Sequence, residues 1–142
     1  MIQPQELRLG NYVLYNGMIC VVSSIIEPTP TKDRFNNKYV ISLWNNGSFN
    51  ATIDEIEPIV ITEEILFKCG FLKDENEIYH IDIFTHYLEL MNSMECYYPI
   101  YIQKAQMSSE NEQRIGLNNL EFVNQLQNLF YSLTGEELTF KN

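Results

Sequence analysis

The chain has 142 residues and carries 19 acidic against 9 basic side chains, a net charge of −10 at neutral pH. At 45% hydrophobic and 20% charged residues, it has the composition of one globular domain or two very small ones, which excludes a disordered chain. The acidity also excludes nonspecific nucleic-acid binding by counterion release, which needs a basic surface. No run approaches the ~18 apolar residues of a membrane-spanning helix.

Leu7-Arg8-Leu9-Gly10 leads into a first strand, Asn11-Tyr12-Val13-Leu14-Tyr15. Asn16-Gly17 follows and signals a tight hairpin, because both residue types tolerate positive φ. Residues 18–26 are a long apolar, β-branched run, predicted as a central strand. Residues 27–37 read as a loop, since Pro28 and Pro30 remove backbone donors. The next strand is predicted over 38–44, with Tyr39, Ile41 and Leu43 on one face and Val40, Ser42 and Trp44 on the other. Asn45-Asn46-Gly47 turns the chain into strands over 49–53 and 56–61, with Pro58 marking an edge or bulge. Short strands in such succession predict a small curled sheet or barrel.

At 62–69 the period changes to that of a short helix. Thr62 is its cap, Glu63 and Glu64 favour its positive end, Lys68 sits in the last turn and Gly70 suits the left-handed position beyond it. Ile65, Leu66 and Cys69 form its inward face. Strands are then predicted over 71–72, 77–90 and 94–106, joined at 73–76 and 91–93. The polar run 108–113 is expected to be a loop and 114–117 a last short strand. Residues 119–133 give the clearest helix, with Leu120, Val123, Leu126, Gln127, Phe130 and Leu133 recurring at three and four residues. Asn118 or Asn119 is its expected cap, and Gly135 its end.

Three stretches carry a family resemblance. They are Leu7-Arg8-Leu9-Gly10-Asn11-Tyr12-Val13 with Asn16-Gly17; Glu57-Pro58-Ile59-Val60-Ile61-Thr62-Glu63-Glu64-Ile65-Leu66 running into Cys69-Gly70-Phe71; and the run from Phe122-Val123-Asn124-Gln125-Leu126 through Phe130-Tyr131-Ser132-Leu133-Thr134-Gly135-Glu136-Glu137-Leu138. Together they resemble a family of small uncharacterised proteins of gut anaerobic bacteria and their phages and prophages. The resemblance spans nearly the whole chain and departs most over 77–113. It implies a bacterial or phage origin and a cytoplasmic location, and brings no activity or functional residue with it.

Gly10-Asn11-Tyr12-Val13 is also similar to the opening of an SH3-like barrel of the ribosomal-protein and elongation-factor kind. The expected fold is therefore α+β, mainly β: an SH3-like subdomain over 1–61, then a subdomain over 62–142 made of a helix, an antiparallel meander and a closing helix, the two sharing one core. Such barrels often bind RNA through basic loops, and here the corresponding loop offers Lys32, Arg34 and Lys38.

His80, Asp82 and His86 are a tempting polar set, since their even spacing puts them on one face of a single strand. Six residues of strand hold the two histidines roughly 20 Å apart, too far for one zinc ion with ~2 Å bonds. A catalytic cysteine needs a base and an electropositive setting. Cys69 lies near a helix C-terminus and Cys20 and Cys96 in apolar or aromatic runs, so all three are expected to be reduced and partly buried. The acid pairs Asp54-Glu55, Glu63-Glu64 and Glu136-Glu137 do not share a face and read as capping and solvated charge. No catalytic, metal or cofactor site is expected.

The tyrosines are the better lead. Tyr97, Tyr98 and Tyr101 surround Pro99 in one strand, read as an edge strand, with Tyr79 and Tyr87 in its neighbour. Tyrosine offers large area with a polar tip and is favoured at interfaces. Tyr87, Tyr97, Tyr98, Tyr101 and Trp44 are the expected partner-binding residues. The leading expectation is a non-enzymatic protein-binding module of phage or prophage type, with another protein or a second copy of the chain as its partner. The alternatives are an SH3-like barrel contacting nucleic acid through Arg8, Lys32, Arg34 and Lys38, or an acidic mimic of nucleic acid.

Overall fold

In a computed structural model of the chain, residues 1–103 and 113–141 are described. They form mostly strand, in two antiparallel sheets, and fall into two compact units. The first unit comprises Met1–Val60 and Phe122–Glu137, and the second Ile61–Glu121 and Leu138–Asn142. The expected loop over 108–113 lies outside the described residues except for Gln113.

The first unit is built on five strands: β1 (Tyr12–Tyr15), β2 (Met18–Ile26), β3 (Val40–Trp44), β4 (Ser48–Thr52) and β5 (Ile56–Glu57), in the order β4-β3-β2-β1-β5. Asn16 (φ 50°) and Gly17 (φ 76°) are both left-handed, and Tyr15 faces Met18 across them. This is the two-residue hairpin that Asn-Gly predicts, its twist matching that of the flanking strands. The β2–β3 register shifts between Val22 and Ser24, and the Ser23 hydroxyl there donates to the Ser42 carbonyl at 3.0 Å. After β4, one turn of 3-10 helix (Ile53–Glu55) reverses the chain so that β5 pairs antiparallel with β1, Leu14 facing Glu57. Strand alternation then sends Val13, Cys20, Val22, Ile41, Leu43, Ala51 and Ile56 into one core, with Ile2 and Leu7 closing it. The strand expected over 56–61 stops at Glu57, because Pro58 ends the ladder; Val60 returns only as a single bridge to Phe122.

The second unit opens with α1 (Glu63–Lys68). The Thr62 hydroxyl accepts the Ile65 N–H at 3.3 Å, and Gly70 takes φ 93° after the last turn. Then follow β6 (Leu72–Lys73), β7 (Tyr79–Ile83), β8 (His86–Ser93), β9 (Cys96–Gln103) and β10 (Gln113–Gly116), an antiparallel meander in the order β10-β9-β8-β7-β6. The single strand expected over 77–90 is in fact two. The chain turns at Phe84-Thr85, with Phe84 at φ 49°, and again at Met94-Glu95, with Met94 at φ 53°, rather than over 91–93. Neither turn carries the glycine or asparagine that normally marks one; nothing in the sequence marks the first, and the second falls just beyond the connection read at 91–93.

Pro99 does not mark an edge strand, since β9 lies between β8 and β10. Its ring nitrogen falls on the side away from β8, where residues 117–119 leave the ladder. The β10 pairing begins only at Ile100, and the Leu117 N–H reaches the Pro99 carbonyl at 3.0 Å. A strand can hold proline in its interior where its partner has a gap at that position.

The last helix, α2, spans Val123–Thr134, four residues shorter at its start than the apolar period predicts. Leu120 is bridged to Tyr97 and Phe122 to Val60, so their backbone groups are spent on strands. The Gln125 side chain, not Asn118 or Asn119, accepts the Phe122 N–H, at 3.0 Å. Gly135 ends the helix at φ 73°, as read from the sequence. Where the sequence reading grouped α2 with 62–142, the structure groups it with the first unit. Gln127 is the reason: its Oε1 accepts the Tyr12 N–H at 2.8 Å and its Nε2 donates to the Gly10 carbonyl at 3.1 Å. Among the described residues, no helix is long and apolar enough to cross a membrane.

Candidate interaction surface

Register fixes the two faces of the β6–β10 sheet. Tyr79, Leu88, Leu90, Tyr97 and Pro99 fall on one face and are buried. His80, Asp82, Tyr87, Glu89, Met91, Tyr98, Ile100, Ile102, Arg114 and Gly116 fall on the other, which is largely open although Ile102 within it is fully buried. The five residues singled out from the sequence are therefore not one surface. Tyr97 is buried, with its ring edge-on to Tyr79 at 5.9 Å. Tyr101 shares that face and lies flat against His86, centroids 4.7 Å apart. Tyr98 and Tyr87 stand on the opposite face. Trp44 belongs to the first unit, 53% exposed and opposite Val21 on β2.

The exposed face holds a groove of about 510 Å³ lined by Met91, Asn92, Ser93, Tyr98, Pro99, Ile100, Gly116 and Leu117. Met91 and Tyr98 are cross-strand partners, and each is about two-fifths exposed. Met91 and Asn92 also border a second depression that ends at Met94, whose side chain is fully exposed. Sequence reasoning found Tyr98 but missed Met91, Met94 and Gly116. The unrecognised turns at Phe84 and Met94 hid which residues share a face.

Beside the groove, Ile100 faces Glu89, and Glu89 faces His80. A shallow cup of about 300 Å³ is lined there by Asp74, His80, Asp82, Tyr87 and Glu89. Arg114 reaches Glu89 at 3.4 Å. The chain break at Phe84 separates the histidines that the sequence put on one face: His80 stays beside Glu89, and His86 turns to the buried face opposite Ile83. No group of His, Cys, Asp or Glu among the described residues is placed to hold a metal ion.

Several other ionisable groups are tied into structure. The Tyr79 hydroxyl donates to Glu63, and Lys73 Nζ bonds the same carboxylate at 2.7 Å. Lys73 and then Tyr79 hold the Glu63 carboxyl below its ordinary range, while Glu63 raises the Lys73 ammonium. Burial pushes the Cys69 thiol up to about 12 and raises Cys20 as well, the reverse of what a thiolate nucleophile needs. All three cysteines are free.

Three of the four basic residues of the nucleic-acid alternative are also engaged. Arg8 forms a two-point pair with Glu137 and lies over the Tyr131 ring, Arg34 pairs with Glu55, and Lys38 lies 3.6 Å from Asp54. Compared with protein-family models, curated proteins and solved structures, the chain matches none.

Proposed function

We propose that this chain is a non-enzymatic protein-binding module, of the phage and prophage type that its sequence resembles, working in the cytoplasm. The observation that carries the reading is the apolar groove of Met91, Tyr98 and Ile100, which stands open to solvent on a sheet that buries Tyr79, Leu88, Leu90 and Tyr97 on its other face. A large aromatic with a polar tip beside a flexible thioether is the composition of an adaptable contact surface. The ion pairing of Arg8, Arg34 and Lys38 favours a protein partner over nucleic acid, because paired cations release few counterions on binding a phosphate backbone.

The first unit supports an SH3-like barrel by three features: the five-strand order, the 3-10 turn before the last strand, and the return of that strand to β1. In this reading the barrel is scaffold, and the sheet of the second unit makes the contact. Affinity capture from a bacterial lysate with the full chain, read by mass spectrometry, tests the function. A partner retained by the wild type and lost by Met91→Ser/Tyr98→Ser is the expected result. Retention of nucleic acid instead, or of nothing at all, rejects it.

A further inference from the structure

The groove has one wall that nothing in the fold requires to be open. Gly116 sits at its edge on β10, its φ outside the left-handed region, and a Cβ added there would meet nothing within 4 Å. Glycine weakens a strand relative to any residue with a side chain, so neither the backbone nor the packing of the described residues accounts for it. What the missing side chain does is leave the way clear to Ile100, its cross-strand partner, and to Tyr98 and Met91 beyond.

Met94 is a second feature: its backbone makes the turn between β8 and β9, but nothing in that turn calls for a large apolar side chain. Left-handed backbone at a residue other than glycine or asparagine costs about 1 kcal/mol, and its side chain is fully exposed. The Met94 tip thus extends the apolar surface from Met91 outwards with no burial gained within the chain.

The charge beside the groove selects the occupant. Asp74, Asp82 and Glu89 line the adjoining cup with His80; one Asp74 oxygen takes the Asn76 and Ile78 N–H groups and Glu89 meets Arg114 at 3.4 Å, which leaves the cup an excess of negative charge. The second unit as a whole carries eleven acidic against five basic side chains. Asp82 on β7 lies two strands from Ile100 on β9, roughly 10 Å across the sheet at ~4.8 Å per strand. A peptide spans that distance in about three residues.

We propose, resting on the binding reading above, that this face docks a peptide segment of another protein in which a bulky apolar side chain enters the groove over Gly116 and a lysine or arginine about three residues away meets the carboxylates of Asp74, Asp82 and Glu89. The apolar side chain supplies most of the affinity, since it is the part that leaves water. The basic residue sets direction and salt dependence.

Panning a random dodecapeptide phage library on the full chain tests this, followed by synthesis of an enriched peptide and anisotropy titrations. The expected consensus pairs Leu, Ile, Phe or Trp with a nearby Lys or Arg. Gly116→Val, whose Cβ meets nothing in the fold, is expected to weaken the peptide about tenfold while keeping or slightly raising the melting temperature. Asp82→Asn is expected to weaken it a few-fold and to flatten its loss of affinity between low and high salt. Consensus peptides lacking the base, or binding untouched by Gly116→Val, overturn the proposal. So does a dimer in sedimentation that Gly116→Val disperses, which gives the groove to a second copy of the chain. If lysate capture retains a partner equally well on wild type and Gly116→Val, the module reading stands and this site falls; if neither retains one, both fall.

Discussion

The first unit buries amides and the second, among its described residues, buries none, while both leave apolar side chains exposed. Asn11, Asn124 and Gln127 are buried along α2 and β1, where Asn11 Nδ2 donates to Asn128 at 2.9 Å and Gln127 takes up two backbone groups. On the second sheet Met91 and Tyr98 are exposed on one face and Met94 in the turn between their strands, while Leu88, Leu90, Tyr97 and Pro99 are buried on the other face. The difference teaches that residue type alone does not assign a role. An amide is best placed inside where backbone groups would otherwise be orphaned, and an apolar side chain left outside on an otherwise well-buried sheet is a surface awaiting contact.

Two buried leucines set the largest expected effects. Leu43→Ala in the first unit and Leu88→Ala in the second, both fully buried, should each cost about 3 kcal/mol in urea unfolding. A loss well under 1 kcal/mol at either would mean that its core is not close-packed. Gln127→Ala should come next, at about 2 kcal/mol, because it orphans the Tyr12 N–H and the Gly10 carbonyl together. If it is neutral, the amides are solvated and the contrast between the units dissolves.

A smaller, pH-dependent effect belongs to Glu63. Its folded carboxyl is held below the ordinary value of 4.5 by Lys73 and Tyr79, so its contribution is full above that value and disappears as the pH falls through the depressed one. Glu63→Gln should lower the melting temperature at neutral pH, and the gap to wild type should close on acidification. A gap that is constant with pH would show that the charge is not what matters.

The smallest effects sharpen the comparison most. The Asn124 side-chain oxygen is buried with no hydrogen-bond partner among the described residues, and its Nδ2 makes only a long bond, 3.4 Å, to the Glu6 carbonyl that Asn128 also serves, so Asn124→Leu should change stability by less than about 1 kcal/mol. Tyr98→Ser, on the exposed face, should stay within about 0.5 kcal/mol, which thermal melts will read.

Much of the first unit was legible in the sequence. Asn16-Gly17 fixed its hairpin, the strand over 18–26 fell where its β-branched run does, and the alternation of Ile41 and Leu43 against Trp44 came out as buried against exposed. The second unit was less legible because its turns use Phe84 and Met94, residues that do not advertise positive φ. Missing them merged two strands, put His80 and His86 on one face and hid the pairing of Met91 with Tyr98. The start of α2 was missed for a different reason: Leu120 and Phe122 continue its apolar period, but long-range bridges claim their backbone. Tyr97 and Tyr101 could not be told from Tyr98 by composition, since register alone decides which face a tyrosine takes.

Hydrogen–deuterium exchange of the full chain with and without its captured partner is the most direct test. Slowed exchange over residues 91–100 and 113–117, with 40–50 unchanged, is the result this account requires. Protection confined to the strands around Trp44, or spread over neither sheet, would contradict it.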